Sequence, residues 1–453
     1  MNRIELRKAR KFKGKFSPTP DKSISHRAVI FSSLSNGKSI IKNFLRAEDT
    51  KSTVNAMRML GVEITEVTPT HPSPSREEGK GGGESSELLT PASELIINGK
   101  GLYGLKEPYN VIDCGNSGTT IRMLSGILSG NPFLSVLTGD ESLRARPMGR
   151  VIAPLRKMGA GIMARDGDRF PPIAIKGEML HAIKYIMPIA SAQVKSAILL
   201  AGLYADGETE VIEPVKSRDH TERMLPAFGA EIKVEGLSIK IKGLPELRGT
   251  EVHVPGDFSS AAFFIVGALL IEGSNITIQG VGINPTRTGL LSVLKEMGAD
   301  IEIYNIRNLS GEPVADIKCR STVELNPVNI TEEKIPVLID EFPVLCVAAT
   351  QAIGNTTIRG AEELRVKESD RIKSMATELK KMGAEIEEFE DGLSITGKTK
   401  LKGAFLESHG DHRIAMALSI AALIAEGETV ISDVSSVNIS FPGFFEILRR
   451  LTA

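Results

Sequence analysis

Residues 21–44, with the sequence DKSISHRAVIFSSLSNGKSIIKNF, contain the pattern that decides the fold. A polar start, which includes Lys22 and Arg27, leads into an apolar segment of helical character. Asn36 and Gly37 then end this helix, because both residue types tolerate a positive φ at a helix C-terminus. A short apolar strand follows. The stretch therefore predicts a unit made of a polar cluster, a helix, a glycine stop and a strand.

The same unit recurs along the chain, which is typical of domains built from repeats. Helix–glycine–strand junctions recur at intervals of 66–93 residues and centre on Gly37, Gly130, Gly207, Gly273, Gly354 and Gly427. A second motif, of which KKMGAEI is an example, follows each of the first five junctions and centres on Gly61, Gly159, Gly229, Gly298 and Gly383. The chain ends where a sixth copy is due. We therefore expect the strand-like start, RIELRKARKFKGKF, to complete the sixth unit and to bring both termini into one domain.

The six units divide into two similar domains of three units each. We expect the first domain to span residues 21–247 and the second to span residues 248–453, with residues 1–20 added back. Residues 69–93 interrupt the first unit with Pro, Ser, Gly and charged residues that show no apolar period. This composition predicts a flexible insertion.

The apolar pattern indicates where the helices lie in each domain. The helices expected at residues 194–205 and 261–271 are apolar around most of their circumference, which is typical of buried helices. Each unit is expected to contribute two helices and a mixed sheet. The sequence therefore predicts an α/β (α+β) fold with helices inside and sheets outside.

Composition narrows the class of protein. A chain of 453 residues with 41% apolar and 25% charged residues is typical of a soluble globular protein of two or more domains. The net charge of −1 gives no general attraction to nucleic acid or membranes, and no apolar run reaches the length of a membrane span. The three cysteines, Cys114, Cys319 and Cys346, lack metal spacing and indicate a reducing compartment. We expect a cytoplasmic protein.

A polar turn precedes each of the six buried helices: DKSISHR, CGNSGTTIR, IASAQVK, PGDFSSA, IDEFPV and HGDHRIA. Simple N-capping explains the Ser, Thr and Asp residues of these polar turns. It does not explain the cations, because positive charge near a helix N-terminus opposes the helix dipole. These cations are Lys22, Arg27, Arg122, Lys195 and Arg413. We therefore expect anions to pair with them where the helix N-termini converge.

Two further stretches add charge. TGDESLRARPMGR contains Arg146, and LRVKESDRIKSM contains Lys367, Glu368 and Arg371. Alternating charge often marks only a solvated helix face, but these charges precede the apolar pattern and indicate a loop. So many cations suit a ligand with phosphate and carboxylate groups. Asp340 and Glu368 are the candidate proton-transfer groups, and the sequence leaves open whether nearby cations or burial dominate their pKa values.

The chain resembles the 5-enolpyruvylshikimate-3-phosphate (EPSP) synthase family over essentially its whole length. The resemblance rests on eight motifs in the order of that family: DKSISHRA, GNSGTTIR, RPMGRV, SAQVKSA, SRDHTERM, IDEFPVL, LRVKESDRI and GDHRIAMA. It implies two domains, each of three βαβαββ-type units, that close over a cleft. It also implies enolpyruvyl transfer from phosphoenolpyruvate to the 5-hydroxyl of 3-phosphoshikimate, with release of phosphate and without a metal or organic cofactor. The expected partners are these two small molecules, and we expect a monomer.

The resemblance also implies roles for individual residues. The residues expected to contact 3-phosphoshikimate are Lys22, Ser23, Arg27, Ser191, Ala192, Gln193, Ser217, Arg218, Asp340 and Lys367. Those expected at the phosphoenolpyruvate site are Lys22, Asn116, Gly118, Arg146, Gln193, Arg371 and Arg413. Three residues are expected to be catalytic: Asp340 accepts the 5-hydroxyl proton, Glu368 protonates the methylene carbon, and Lys22 acts beside them. Because each domain contributes cations, we expect the empty halves to repel each other and to close on substrate.

The sequence departs from the family pattern in three places. Thr19 and Pro20 replace a Pro-Gly pair, Ile439 stands where some members have Lys, and Ala192 replaces a Ser found in some members. The first change alters the turn into the site, and the second removes one expected contact with phosphoenolpyruvate. Gly118 matches a glycine that is typical of members inhibited by glyphosate.

Two alternatives stay open at this point. The sister enzyme, which transfers enolpyruvyl to UDP-N-acetylglucosamine, carries a reactive Cys in the loop before its Arg-Pro motif. The corresponding loop, residues 138–146, has none, and Cys114 is expected to be a packed residue. The other alternative is a repeat scaffold that binds RNA or protein through its basic helix starts. Near-neutral charge and only 5% aromatic residues disfavour a nucleic-acid platform. His409 and His412 lack further ligands in pattern, so we expect no metal site.

Overall fold

The structure is a computed structural model, which describes residues 2–67 and 93–453. The helices of this part of the chain are α1 (Lys22–Leu34), α2 (Glu48–Met59), α3 (Gly118–Ser129), α4 (Glu141–Arg144), α5 (Gly149–Lys157), α6 (Arg165–Asp168), α7 (Ala192–Gly202), α8 (His220–Met224), α9 (Phe258–Leu270), α10 (Gly289–Glu296), α11 (Phe342–Ala349), α12 (Arg371–Lys381), α13 (His412–Ala422) and α14 (Phe444–Thr452).

The strands are mostly short and alternate with the helices. They are β1 (Arg3–Arg7), β2 (Lys13–Phe16), β3 (Asn36–Phe44), β4 (Glu63–Val67), β5 (Ser93–Lys100), β6 (Ile112–Asp113), β7 (Leu134–Thr138), β8 (Gly161–Ala164), β9 (Phe170–Lys176), β10 (Lys184–Ile186), β11 (Glu208–Ile212), β12 (Ile232–Glu235), β13 (Ser238–Lys242), β14 (Glu251–His253), β15 (Asn275–Gly282), β16 (Ile301–Leu309), β17 (Glu312–Arg320), β18 (Asn329–Ile330), β19 (Gly354–Ile358), β20 (Glu385–Phe389), β21 (Gly392–Gly397), β22 (Phe405–Glu407) and β23 (Glu428–Ser432).

Six separate sheets reflect the six repeats. Five of them share one pattern, in which a parallel edge strand is followed by two antiparallel pairings; their orders are β14-β3-β5-β4, β6-β7-β9-β8, β10-β11-β13-β12, β2-β15-β17-β16 and β18-β19-β21-β20. The sixth is the three-stranded sheet β22-β23-β1, in which β1 pairs antiparallel with β23. The N-terminal strand therefore completes the sixth unit, as expected. The second half of the N-terminal stretch forms β2, which belongs to the fourth sheet instead.

The five glycines of the second motif have a common conformation. Each has φ between +88° and +104°, and each follows a helix. This backbone conformation is accessible to glycine and strained for most other residues, so the motif marks a turn that ends one helix and aims the chain into the next strand.

The buried helices form two cores. The apolar helices α1, α3 and α7 belong to one hydrophobic cluster, whose members lie between residues 24 and 254. The helices α9, α11 and α13 belong to the other, whose members lie at residues 4–16 and 258–451. Every residue of α13 is buried, as is every residue of α9 except the last. The expectation of helices inside and sheets outside is confirmed.

The two cores suggest where the domains divide. Strand β14 pairs with β3 of the first core, although it lies beyond the expected boundary at residue 247. We propose that the first domain spans residues 21–254 and that the second domain spans residues 255–453 together with the N-terminal segment.

The chain crosses between the two cores at two places that lie side by side. The Asp21 N–H donates to the Pro255 carbonyl at 2.8 Å, and the Asp257 N–H donates to the Thr19 carbonyl at 2.7 Å. Asp21 and Asp257 also N-cap α1 and α9, the first helices of the two cores. We call this paired crossing, residues 19–21 and 255–257, the hinge.

Two expectations from the sequence concern segments away from the hinge. The expected insertion at residues 69–93 lies outside the described residues, apart from Ser93, which is buried and begins β5 rather than ending a loop. Within the described ranges, the structure contains no helix that is long and apolar enough to cross a membrane.

Candidate active site

A cavity of about 200 Å³ lies between the two cores, where the N-termini of the buried helices converge. The predicted site residues that line it are Lys22, Ser23, Arg27, Asn116, Gly118, Arg146, Ser191, Ala192, Gln193, Ser217, Arg218, Asp340, Lys367, Glu368 and Arg413. Arg371 is the predicted residue that lies behind the wall, where it contacts both Asp340 and Glu368.

The polar turns supply both helix caps and cavity wall. The side chains of Asp21, Ser117, Ser191, Asp257 and Asp411 accept hydrogen bonds from backbone N–H groups of the helices they precede. N-capping therefore accounts for these polar residues, including Ser191, which caps α7 and also lines the cavity.

The cavity wall carries an excess of positive charge. Nine lysine and arginine residues line it against five aspartate and glutamate residues. Helix N-termini add partial positive charge at the same place. A phosphate group carries a charge of about −1.5 to −2 at pH 7. The wall therefore suits a ligand with more than one strongly anionic group.

Two arginines of the wall have only neutral hydrogen-bond partners. Arg27 donates to the hydroxyl oxygens of Thr221 at 2.8 Å and Ser196 at 2.9 Å, and Arg122 donates to Gln193 Oε1 at 2.6 Å. Within residues 2–67 and 93–453, no carboxylate lies at ion-pair distance from either guanidinium. Burial lowers the pKa of both Arg27 and Arg122 to about 10. An anion in the cavity would relieve this unpaired charge.

Asp340 stands in the opposite situation, as one carboxylate among four arginines. Its Oδ2 lies 3.2 Å from Arg413 Nη2 and 3.4 Å from Arg287 Nη1, and it also accepts a hydrogen bond from Arg218. Arg371 Nη1 lies 3.5 Å from its Oδ1. Burial alone would raise the pKa of Asp340, but the four arginines outweigh burial and hold this pKa well below its usual range. Asp340 is therefore ionised at neutral pH.

Glu368 is the second carboxylate with strong cationic neighbours. Arg371 Nη2 donates to its Oε2 at 2.7 Å, and Arg146 Nη1 lies 3.4 Å from its Oε1. Burial opposes the charge, but Arg371 and Arg146 hold the pKa of Glu368 well below its usual range. Glu368 is therefore also ionised at neutral pH. The sequence left open whether burial or nearby cations would dominate the pKa values of Asp340 and Glu368. For both carboxylates the cations outweigh burial.

Lys367 and His412 also line the cavity, and the pKa of each is lowered. Burial lowers the pKa of Lys367 to about 8, although Asp340 lies nearby. Burial and the charge of Lys22 lower the pKa of His412 to about 3, and His412 Nε2 has no partner within the described chain. His409 instead contacts Glu378 Oε1 at 2.9 Å. The two histidines thus have separate surroundings.

The remaining side chains of the wall position one another. Lys22 Nζ contacts Asp49 Oδ2 at 2.9 Å. Arg146 Nη2 donates to Asn116 Oδ1 at 2.6 Å, and Asn116 Nδ2 donates to Asp140 at 2.7 Å. Lys22 and Arg146 are thus each held by a neighbour from another element, which fixes their positions before a ligand arrives.

Two predictions from the polar turns and motifs need correction. Lys195 does not face the cavity: its Nζ contacts Glu213 at 2.9 Å and Glu222 at 2.6 Å in a fully buried cluster. Glu213 and Glu222, and not a ligand, therefore supply the negative charge that was expected beside this cation. Ser217 does line the cavity, but its N–H and its hydroxyl both donate to Glu213. Ser217 can bind a ligand phosphate only if one of these donors is released.

The expectation that the halves repel each other without substrate stays a prediction, and ion pairs cross the cleft in this structure. Arg146 and Glu368 lie 3.4 Å apart across the cleft, Arg150 lies 2.8 Å from Glu363, and Arg218 contacts Asp340. Cations do lie on both sides of the cleft, but carboxylates of the second core face arginines of the first and hold the halves together.

Several residues of the wall were not predicted from the sequence, above all Arg287. This residue lies in the loop between β15 and α10, is 4% exposed, and contacts Asp340, Asp257 and Asp21. The sequence did contain a signal for Arg287, because this cation lies just before a helix, like the cations of the polar turns. Asp49, which pairs with Lys22, also lines the cavity and was not identified.

Comparison with known proteins places this site in a family. The sequence model of EPSP synthase (3-phosphoshikimate 1-carboxyvinyltransferase) matches residues 6–79 and 82–448. The chain is 57% identical to a 3-phosphoshikimate 1-carboxyvinyltransferase of Thermodesulfovibrio yellowstonii, over 100% of both chains. It is 52% identical to a 3-phosphoshikimate 1-carboxyvinyltransferase of Syntrophomonas wolfei, over 97% of each chain.

A solved structure gives the same result for the fold. The EPSP synthase from Acinetobacter baumannii superimposes with a TM-score of 0.84 at 46% sequence identity, and the match covers 100% of this chain and 98% of that one. The expected two-domain enolpyruvyl transferase fold is thereby confirmed. Full-length matches in sequence and structure lead to one conclusion: the chain belongs to the EPSP synthase family, the 3-phosphoshikimate 1-carboxyvinyltransferases.

Proposed function

We propose that this protein transfers the enolpyruvyl (1-carboxyvinyl) group from phosphoenolpyruvate to the 5-hydroxyl of 3-phosphoshikimate and releases phosphate, in the shikimate pathway to chorismate and aromatic amino acids. Membership of the EPSP synthase family supports the reaction. The observation that carries the proposal is the cation-rich cavity with two ionised carboxylates, Asp340 and Glu368, in its wall.

The charge of the cavity fits the two substrates. Each substrate carries one phosphate and one carboxylate group. Together they bring several negative charges to the positively charged wall. Arg27 and Arg122 lack carboxylate partners and are available to anions. Arg146 and Arg413 already hold carboxylates and would turn part of their hydrogen-bonding capacity toward the ligands. Lys22 is assigned to the place where both substrates meet.

Asp340 is assigned the role of base. A carboxylate whose pKa is held low by four arginines is ionised at neutral pH and can accept the proton of the 5-hydroxyl. The 5-oxygen then forms a bond to C2 of phosphoenolpyruvate. The surrounding guanidinium groups stabilise the negative charge of the resulting tetrahedral adduct, because they are already oriented before reaction.

Glu368 is assigned the role of acid, and this role requires its proton to arrive with the substrates. In the empty cavity Arg371 and Arg146 keep Glu368 ionised. Bound phosphate and carboxylate groups would compete for these arginines and raise the pKa of Glu368. Protonated Glu368 can then donate to the methylene carbon, which makes C2 electrophilic. The same carboxylate can take a proton back from the new methyl group as the C2–O bond to phosphate breaks.

The closed arrangement of the domains supports this chemistry by limiting water. The ion pairs that join Arg146 to Glu368 and Arg150 to Glu363 cross the cleft at the cavity. A site closed in this way excludes water that would otherwise hydrolyse the intermediates. Substrate entry requires these pairs to open, so the cleft must cycle between open and closed states.

The cysteines and the expected cytoplasmic location fit the same proposal. Cys114 is fully buried, and burial raises the pKa of its thiol, so it is unsuited to the reactive-cysteine role of the UDP-N-acetylglucosamine enzymes. We propose a cytoplasmic monomer that uses neither metal nor organic cofactor.

A phosphate-release assay tests the proposed function directly. Purified protein should release inorganic phosphate from phosphoenolpyruvate only when 3-phosphoshikimate is present. UDP-N-acetylglucosamine serves as the control acceptor and should give no release above background. Release that depends on the nucleotide sugar, or no release with 3-phosphoshikimate, would refute the proposal.

A further inference from the structure

The loop between β15 and α10 lies between the two domains beside the hinge. Its Asn284 Nδ2 donates to Asp219 Oδ1 of the first domain at 2.7 Å and to Glu312 Oε2 of the second at 2.9 Å. All three side chains are buried. The loop is therefore anchored to both domains just before it reaches Arg287.

Arg287 connects the hinge to Asp340. Its Nη2 lies 3.2 Å from Asp257 Oδ1 and 3.8 Å from Asp21 Oδ2, and its Nη1 lies 3.4 Å from Asp340 Oδ2. Asp21 and Asp257 are the N-caps of α1 and α9. One guanidinium thus links the first helix of each domain to the proposed base.

A second line of hydrogen bonds runs from Arg287 to the same segment. Arg287 Nη2 donates to Ser259 Oγ at 2.8 Å, and the Ser259 hydroxyl donates to Glu341. Glu341 follows Asp340 in the chain and is 2% exposed. Both side chains of this dipeptide are therefore held by Arg287, one directly and one through Ser259.

Two of the other arginines on Asp340, Arg218 and Arg413, are less suited to hold it during the reaction. The third, Arg371, lies 3.5 Å from the other carboxylate oxygen and also contacts Glu368 and Asp411. Arg218 and Arg413 line the cavity and face the space that anionic substrates would occupy. They would exchange part of their contact with Asp340 for contact with ligand. Arg287 also reaches the cavity wall, but the charged partners of its Nη2 are the two hinge aspartates.

We propose that Arg287 is a positioning residue, which holds the Asp340 carboxylate in place relative to the hinge when substrates draw Arg218 and Arg413 away. The inference rests on the proposed function, because it assigns the orientation of the proposed base. It predicts that Arg287 affects turnover through Asp340 and has little effect on substrate affinity.

Steady-state kinetics of Arg287→Gln test the inference. We expect kcat to fall about 10- to 100-fold, because a displacement of about 1 Å at a reacting group has an effect of this size. Both KM values should stay within about threefold of the wild-type values. Arg287→Gln removes one of the four arginines that hold the pKa of Asp340 low, so this pKa should rise and the acidic limb of kcat/KM should move to higher pH.

A double variant separates positioning from a general structural effect. Arg287→Gln should cause no further loss of kcat when Asp340 is already Asn, because the group it positions is gone. The matched control is Arg307→Gln, which removes a half-exposed arginine that contacts Asp316 of the same domain at 3.8 Å. This control should keep wild-type kcat and pH dependence.

The possible outcomes each decide the question. A wild-type kcat and pH profile for Arg287→Gln, or a full additional loss in the Asp340→Asn background, would overturn the inference. Should Arg287→Gln melt too low for assay, Asp21→Asn/Arg287→Gln keeps the hinge charge balanced and carries the same prediction. A wild-type protein that releases no phosphate would refute the proposed function instead, so the two failures are distinguishable.

Discussion

Two buried charge clusters of this protein differ in how their charges are balanced. In the first, Lys195 lies between Glu213 and Glu222, and all three side chains are at most 4% exposed. In the second, Asp340 lies among Arg218, Arg287, Arg371 and Arg413. The first cluster has two carboxylates for one cation. In the second, Arg287 and Arg371 also contact other carboxylates, whereas Arg218 and Arg413 share Asp340 as their ion-pair partner.

The difference teaches how to separate a structural cluster from a functional one. The Lys195 cluster lies away from the cavity, and burial raises the pKa of Glu222, so a proton is the simplest species to complete it. The cations around Asp340 outnumber it at the cavity, where Arg218 and Arg413 face the open space. Arg218 and Arg413 share Asp340, so an external anion, which is what a substrate site provides, would pair with them.

The largest effect is expected from removal of the carboxylates of the active site. Asp340→Asn and Glu368→Gln should each lower kcat by about 10³-fold, since each removes a proton-transfer group with little change in volume. Steady-state phosphate release measures the loss. Asp316→Asn, which alters a buried aspartate outside the cavity wall, is the control and should keep its turnover. Near wild-type kcat in both site variants would contradict the assigned roles.

A change in the Lys195 cluster should instead lower the stability of the protein. Lys195→Met leaves two buried carboxylates without their cation and should lower the free energy of unfolding by about 3–5 kcal/mol. Denaturant titration measures this loss. The triple variant Lys195→Met/Glu213→Gln/Glu222→Gln should recover part of it, because no charge is left unpaired.

The effect of inorganic phosphate on the melting temperature should distinguish the two clusters further. Inorganic phosphate should raise the melting temperature of the wild type and of Lys195→Met by similar amounts, because Lys195 is outside the cavity. A Lys195→Met variant with normal stability and a lost response to phosphate would show that Lys195 belongs to the anion site after all.

The sequence predicted the repeat, and hence most of the fold, because the repeat is encoded locally. Gly61 and its four equivalents have the positive φ that ends a helix in each unit, and no tertiary contact is needed to recognise that signal. The placement of β2 was missed for the opposite reason. Its partner β15 lies far along the chain, and one short basic strand fits two different sheets equally well by pattern alone.

The site was predictable in its residues and less so in their partners. Lys22, Arg27 and Arg413 could be identified because a cation at a helix N-terminus needs a reason that is visible in sequence. The same signal could not show that Lys195 is neutralised by Glu213, since the pair forms only when the chain after β11 folds back beside α7. Pairing is a tertiary property, and the sign of each local charge excess follows from it.

A smaller effect is expected at Gly118, where the arginines of the wall leave no room for a methyl group. A Cβ at this position would lie 2.6 Å from Arg122 Nη1 and 3.2 Å from Arg146 Nη1. Gly118→Ala should therefore displace both guanidinium groups and raise the KM for phosphoenolpyruvate roughly tenfold. The melting temperature should change little, because the atoms that must move are the ends of flexible side chains.

A matched glycine provides the control for this change. A Cβ on Gly149, which begins α5, would meet only one atom, at 3.9 Å. Gly149→Ala should therefore leave the KM unaltered. Glyphosate, which the family resemblance places at the phosphoenolpyruvate site, should be weakened more than the substrate in Gly118→Ala. A Gly118→Ala protein with wild-type KM and inhibition would remove this position from the site.

The smallest effect concerns the titration of Lys367. Among the cations of the wall, Lys367 has a pKa that burial lowers to about 8, although Asp340, Glu363 and Glu368 lie near it and oppose the shift. The ammonium is charged below this pKa and neutral above it. Its attraction for an anionic substrate is therefore nearly complete below pH 7 and declines as the pH rises through about 8.

We expect this titration to appear in kcat/KM for 3-phosphoshikimate. Between pH 7 and pH 8.5 the charged fraction of a group with a pKa of about 8 falls roughly fourfold, and kcat/KM should fall with it. Lys367→Arg should remove this alkaline limb, because a guanidinium stays charged throughout the range. Initial rates at several pH values, for both proteins, measure the difference. An alkaline limb that persists unchanged in Lys367→Arg would assign the titration to another group and would leave Lys367 outside the set of cations that bind substrate.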